Sequence, residues 1–232
     1  MNQKRNYQKE MEKVIDGFGG EKKKLLLHSC CAPCNSAVLE KLQEIFELTV
    51  FFYNPNITEK AEYERRIGEQ RRLVEYFNEK NPQFPIKLIE GNYEPAKFLQ
   101  MSKGLEKAPE GGERCYGCYG LRLEESARVA KEQGFDYFTT SLTISPMKNA
   151  EKLNTLGEQM AEKYGVSFLP SDFKKKEGYK RSIELSGELE LYRQDYCGCG
   201  FSKAESILRK QQKKQENSLT EEKSIGGQIQ QS

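Results

Sequence analysis

"KLLLHSCCAPCNSAVLEKLQEIFELTVFFYN", residues 24–54, decides the reading of the fold. It opens on a short apolar run, Leu25 to Leu27, of the kind found in a strand buried on both faces. "NSAVLEKLQEIFE" has helical spacing, with Asn35 or Ser36 as its N-cap. "LTVFFYN" is a second strand, rich in β-branched and aromatic residues. Between the first strand and the helix stands "HSCCAPC", with three cysteines, the chain's single histidine and no glycine. Such a turn cannot wrap its amides around a phosphate as a glycine-rich turn does. The pattern is that of a nucleotide-binding unit, but its first turn is built from thiols.

Outward from this stretch the alternation continues. "TEKAEYERRIGEQRRLVEYFNEK" is a long amphipathic helix capped by Thr58, and "PIKLIEG" a third strand. "YEPAKFLQMS" is a short helix, and "KGLEKAPEGGERC" a loop that delivers a CxxC to the helix "YGLRLEESARVAKEQG", which Gly134 closes. "FDYFTTSL" is a fourth strand, "NAEKLNTLGEQMAEKYG" a helix, and "VSFLP" a short fifth strand. "GYKRSIELSGELELY" and "SKAESILRKQQKKQ" are helical. Strands alternating with helices predict an α/β fold, a mostly parallel sheet with helices on both faces, Cys-rich insertions and a C-terminal helix. We divide the chain into a polar extension (residues 1–22, with a helix over 7–15), one α/β domain (23–214) and a tail (215–232). The tail's low apolar content predicts disorder. Ligands of such sheets sit beyond the carboxyl ends of the strands, where the strand order reverses. A site shared by all the thiols requires the later cysteines to reach that same edge.

The net charge of +2 draws no nucleic acid by a global field, so any basic footprint is local. No apolar stretch has the length of a membrane span, and the N-terminus has no apolar signal core, so we expect a cytoplasmic protein without a membrane partner. Structural disulfides are not expected there, and the seven cysteines read as metal ligands or redox groups. Their clustering supports this. Cys30, Cys31 and Cys34 form one group, Cys115 and Cys118 a CxxC, and Cys197 and Cys199 a CxC, whereas cysteines that merely fill a core scatter.

The pair Cys30–Cys31 with the CxxC offers four thiolates, which suit zinc or a [4Fe–4S] cluster equally well by spacing. The CxC closes only a strained disulfide, the labile kind used in redox turnover, unless both thiols are metal ligands. Cys34 is a ligand for a further metal, a thiol near the substrate, or a helix-start cysteine without special role. His28 is a general acid or a structural hydrogen-bonder. "DFKKKEGYKR", residues 172–181, sets five cations against two acids with Phe173 and Tyr179 interleaved. Lysines and arginines contact phosphates, and aromatics stack on unpaired bases. Arg65, Arg66, Arg71, Arg72, Arg114 and Arg122 add charge elsewhere.

Five stretches together resemble the epoxyqueuosine reductase family of the QueH type. They are "HSCCAPC", "YNPNI" with "EYERR", "RCYGCYGLRLEESA", "FTTSLTISPMKN" and "DFKKKEGYKRSIELSGELELYRQDYCGCGFSKAES", and they run from about residue 24 to 206. The resemblance implies a Rossmann-like sheet similar to the nucleotide α-hydrolase group. It implies the last step of queuosine synthesis, a corrinoid-independent two-electron removal of the epoxide oxygen from epoxyqueuosine in the tRNA anticodon. By motif it implies a [4Fe–4S] cluster on Cys30, Cys31, Cys115 and Cys118 and a redox-active Cys197–Cys199 disulfide. It implies also an additional mononuclear iron, for which Cys34, the CxC thiols and Asp172 are candidates, with His28 as a candidate ligand or acid. Lys174, Lys175, Lys176, Lys180 and Arg181 would bind the tRNA, and an external electron donor would complete the cycle. The rival readings are a zinc-stabilised RNA-binding protein without catalysis, a thiol–disulfide oxidoreductase, and an ATP-dependent tRNA thiolation enzyme. Against the second, the CxxC is expected not to start a helix after a strand. Against the third stands the missing glycine loop.

Overall fold

A computed structural model describes residues 5–229. The elements run β1 (Lys24–His28), α2 (Ala32–Leu42), β2 (Glu47–Phe52), α3 (Lys60–Lys80), β3 (Lys87–Glu90), α4 (Pro95–Met101), α5 (Glu113–Glu132), β4 (Tyr137–Thr140), α6 (Ala150–Tyr164), β5 (Ser167–Phe168), α7 (Gly178–Glu188) and α8 (Gly200–Ile229), preceded by α1 (Tyr7–Asp16). All strand pairs are parallel, in the order β3-β2-β1-β4-β5. The order reverses between β1 and β4, so the crevice at their carboxyl ends is the place where a ligand is expected.

The central strands β1, β2 and β4 are buried on both faces because their side chains alternate between two apolar layers. Leu25, Leu27, Leu48 and Val50 face one layer, where α1, α2, α3 and α7 contribute Met11, Leu39, Phe77 and Leu185. Leu26, Phe51 and Phe138 face the other, against Leu123 and Ala127 of α5 and Leu153 of α6. At about 25 cal/mol per Å² of apolar surface, these two layers are the main stabilising term of the fold.

Three local readings are corrected. Helix α2 begins at Ala32 with Cys31 as its N-cap, not at Asn35 or Ser36. Pro33 stands in its first turn, where a fixed φ and a missing donor cost nothing. Glu59 rather than Thr58 precedes α3. The CxxC is not on a loop: α5 starts at Glu113, so Cys115 and Cys118 lie within its first two turns. The CxxC therefore does start a helix, although no strand immediately precedes it. Helix α8 runs from Gly200 to Ile229 and is rich in Lys, Gln and Glu, which are good helix formers. Residues 1–4 of the extension and 230–232 of the tail lie outside the described residues.

Candidate metal centre

Each thiol group stands at the N-terminal end of a helix. Cys31 is the N-cap of α2, Cys115 is the third residue of α5, and Cys199 immediately precedes α8. Exposed amides and the helix dipole favour negative charge at such positions, and hence thiolate. Two of the sulfurs accept amide hydrogens directly, Cys115 from Gly111 at 3.3 Å and Cys199 from Ser202 at 3.4 Å.

The sulfurs of Cys30, Cys31 and Cys34 lie within 4.8 Å of one another. Cys34 follows Cys31 by nearly one helical turn, which brings it beside the pair. Contacts with the thiols of Cys30 and Cys34 push Cys31 well below the usual thiol range. The same contacts push Cys34 up, and Cys30 is raised by its bond to Cys31. Cys115, Cys118, Cys197 and Cys199 line an adjoining narrow slot. Cys115 also packs in the same apolar layer as Cys30 and Cys31. Burial pushes Cys118 up to about 12 and raises Cys115 and Cys199.

Cys197 lines both the slot and a second cavity of about 280 Å³, whose wall includes Cys30, Cys31 and Cys34. The requirement that all the thiols reach one edge is thus met. Residues of the "YNPNI" and "EYERR" stretches do the holding. Asn56 Nδ2 and Arg66 Nη1 each donate to the Cys197 carbonyl at 3.1 Å. Arg66 is anchored in turn by Glu62 at 2.7 Å, and the Tyr192 hydroxyl donates to the same carboxylate at 3.1 Å. Asn54 donates to the Ser29 carbonyl at 2.9 Å, and the Ser29 hydroxyl to Gln70 at 2.6 Å, which fixes the turn after β1.

His28 and Asp172 stand apart from this set. His28 is fully buried, with Nε2 donating to the Tyr53 carbonyl at 3.0 Å and Nδ1 accepting from the Thr140 hydroxyl at 2.9 Å. The Tyr53 carbonyl can only accept, which puts the proton on Nε2 and leaves Nδ1 to accept from the Thr140 hydroxyl. Burial lowers the imidazole to about 4. Both nitrogens are committed to tying β1 to β2 and β4, so His28 offers neither a ligand nor an acid here. Asp172 pairs with Lys174 at 2.6 Å and lines a different cavity, of about 950 Å³, with Arg5 and Lys175.

Of the five cations expected to bind RNA, four face carboxylates: Lys174 faces Asp172, Lys176 Glu12, Lys180 Glu177, and Arg181 Glu40. Lys175 has no ion-pair partner among the described residues, and lines the 950 Å³ cavity. Lys148, within "SPMKN", carries no local mark of function in the sequence. It lines both that cavity and the thiol cavity. Burial works against its charge, while the nearby sulfurs of Cys197, Cys30 and Cys34 favour it, and the balance raises Lys148 above the usual lysine range. Only distance in the folded chain reveals it, since nothing local separates it from a surface lysine.

The donor set suits thiolate-bound iron or zinc. Seven soft ligands converge on two adjoining cavities, and a buried guanidinium, Arg122, has two nitrogens without partners on the wall of the slot. An anionic occupant would satisfy it.

A family model described as epoxyqueuosine reductase QueH matches residues 25–205. The epoxyqueuosine reductase QueH of Staphylococcus epidermidis is 48% identical over 205 residues, covering 87% of this chain and 86% of that protein. That of Staphylococcus aureus is 46% identical, covering 87% and 85%. Among solved structures, the U34-tRNA thiolase NcsA from Methanococcus maripaludis with its [4Fe-4S] cluster matches with a TM-score of 0.50 and 14% identity, covering 90% of this chain and 73% of that one. At that identity the likeness is one of fold, in line with the Rossmann-like sheet.

Proposed function

The chain belongs to the epoxyqueuosine reductase QueH family, and from that premise we propose that it reduces epoxyqueuosine to queuosine at the anticodon wobble position of tRNA. The observation that carries this reading is the convergence of all seven thiols on two adjoining cavities beyond β1 and β4. The reaction breaks both C–O bonds of the epoxide and forms a C=C bond. Oxygen leaves as water, with two electrons and two protons taken up.

Cys197 and Cys199 are both free thiols on the slot wall. Their oxidation to a disulfide releases two electrons and two protons, which balances the deoxygenation. An external electron donor then restores the dithiol. The scheme is the corrinoid-independent form of this reaction, because the reducing equivalents pass through the chain's own thiols.

Cys30, Cys31, Cys115 and Cys118 would hold a [4Fe–4S] cluster, at the N-terminal ends of α2 and α5. Cys115 and Cys118, at i and i+3 on α5, share one helix face. Cys34, beside Cys30 and Cys31, is the foremost candidate to hold an additional mononuclear iron. When bound, iron supplies single-electron transfer and a Lewis acid for the epoxide oxygen. Lys148, on the wall shared with Cys30 and Cys197, is placed to give the departing oxygen a proton.

Met147 (67% exposed) and Tyr179 (36% exposed) line the same cavity and offer apolar surface to an unpaired base. Lys175 and Lys148 face the neighbouring cavity, where the tRNA backbone would run. Among the described residues no helix is long and apolar enough to cross a membrane, and we place the reaction in the cytoplasm with tRNA.

The test is an anaerobic assay of the iron-reconstituted protein on tRNA containing epoxyqueuosine, with a chemical reductant and mass analysis of the nucleosides. The expected product is lighter by one oxygen atom. Cluster-loaded protein that leaves the nucleoside unchanged would refute the reading. A colourless, zinc-containing protein that binds the same tRNA would favour the non-catalytic alternative.

A further inference from the structure

Three arginines are buried around the thiols, and they differ in how their charge is met. Arg66 pairs with Glu62 at 2.7 Å. Arg114 reaches Glu205 at 3.3 Å and donates to the carbonyls of Leu105 and Glu106. Arg122 has 0% exposure and no carboxylate partner among the described residues. Its Nε donates to the Cys118 carbonyl at 3.3 Å, while Nη1 and Nη2 have no hydrogen-bond partner among the described residues. The carboxylate on the slot wall, Glu110, is in an ion pair with Arg209 at 3.3 Å.

An arginine cannot shed its proton, so a buried one without a counter-charge is among the costliest groups a fold can carry. Every other charged side chain on this wall is paired. What faces Arg122 instead is the ring of Tyr119, whose centroid is 5.6 Å from its guanidinium carbon, and sulfur: Cys115, Cys118, Cys197 and Cys199 share its slot. A protein keeps such a charge where an anion will meet it.

We propose that Arg122 is the built-in counter-cation of the thiolate-held iron–sulfur group, and that it sets that group's reduction potential. The proposal rests on the reading of Cys30, Cys31, Cys115 and Cys118 as cluster ligands. A [4Fe–4S] core on four thiolates is already an anion, and taking up one electron adds a further negative charge without a proton. A fixed cation stabilises the more negative, reduced form, so Arg122 raises the potential. It acts on the electronics of the group and touches no substrate, and is a positioning residue in that sense.

The test is a potentiometric titration of the reconstituted full chain with dithionite, read by electron paramagnetic resonance, in wild type, Arg122→Met and Arg122→Lys. In Arg122→Met we expect the ratio of reduced to oxidised cluster at a fixed potential to fall about tenfold, a shift of ~59 mV to the negative for one electron. Arg122→Lys, which keeps the charge, is expected to stay within about twofold of wild type. An unmoved potential in Arg122→Met, or an equal shift in both variants, overturns the proposal.

Melting temperatures give a second readout. Stripped of metal by chelation, Arg122→Met is expected to melt no lower than stripped wild type, because an uncompensated charge has been removed. Loaded, it should lose part of the stabilisation that loading confers on wild type. Equal losses in both forms mark a merely structural residue and sink the idea. Should Arg122→Met not fold, Arg122→Gln takes its place in the comparison with Arg122→Lys. Iron and sulfide content of the wild type separates the two failures. Absence of a cluster there removes the cofactor reading, whereas a normal cluster with an unmoved potential in the variants removes only the role of Arg122.

Discussion

Gly198 separates the two thiols of the CxC at φ +119°, a conformation open to glycine and strained for any L side chain. A Cβ there would lie 2.9 Å from Ile57 Cγ1, 3.2 Å from Arg66 Nη1 and 3.3 Å from Asn56 Nδ2. Ile57 is fully buried and cannot simply swing away. In Gly198→Ala the backbone strain costs about 1–3 kcal/mol, and the forced contact adds about 1–3 kcal/mol. Opposing this are the hydrogen bonds that close the turn: Asn56 and Arg66 to the Cys197 carbonyl, and the Cys197 amide to the Ser202 hydroxyl at 2.7 Å. Each is worth about 1 kcal/mol.

Cost and restraint are therefore of the same size, and the turn should open rather than the domain unfold. A shift of about 3 kcal/mol moves the closed-to-open ratio roughly a hundredfold. Hydrogen exchange at residues 197–202 is the direct assay, with tRNA turnover beside it. We expect protection there to fall at least tenfold and turnover to fall with it, while the global melting transition moves by a few degrees. Gly200→Ala is the control, since a Cβ there meets nothing within 4 Å. Unchanged exchange and turnover in Gly198→Ala would refute the claim that this glycine holds the thiol pair in place.

Other perturbations address the remaining parts of the site. Cys118→Ser should lower bound iron by at least half and abolish turnover, and full iron content with full activity would count heavily against Cys118 as a ligand. His28→Leu leaves the Tyr53 carbonyl and Thr140 hydroxyl short of a buried partner, and should cost about 2–4 kcal/mol in denaturant unfolding; a loss under about 0.5 kcal/mol contradicts its structural role. Lys175→Gln should weaken tRNA binding and flatten the plot of log affinity against log salt by about one charge. An unaltered slope would move the RNA path away from the 950 Å³ cavity.

Much of this molecule is legible in its sequence, and the exceptions have physical causes. "KLLLH" is β1 as expected, because three consecutive leucines can be buried only where both faces of a strand are covered. Helix α2 starts earlier than Asn35 or Ser36 suggests because a thiol is not among the side chains that usually mark an N-cap; Pro33 is the local signal of the true start. The same gap in the signal hides the place of Cys34. Once the helix is known to begin at Ala32, Cys34 falls beside Cys30 and Cys31 by the helical turn alone. His28 shows the limit in the other direction, since a lone histidine at a strand end reads equally as an acid or an anchor until its two partners are seen.

Local patterning, then, determined the alternation of strand and helix, the parallel sheet, and the three thiol groups. These depend on neighbours a few residues apart, and periodicity records such neighbours directly. Tertiary structure alone decided that the three groups share one edge, that Cys197 belongs to both cavities, and that Lys148 and Arg122 face the sulfurs. It also decided that most of the expected RNA-binding cations are already paired. A charge has no period. Whether an arginine lies in water, against a carboxylate or beside four thiols with no carboxylate partner depends on segments far away in the chain, and only the folded arrangement shows which.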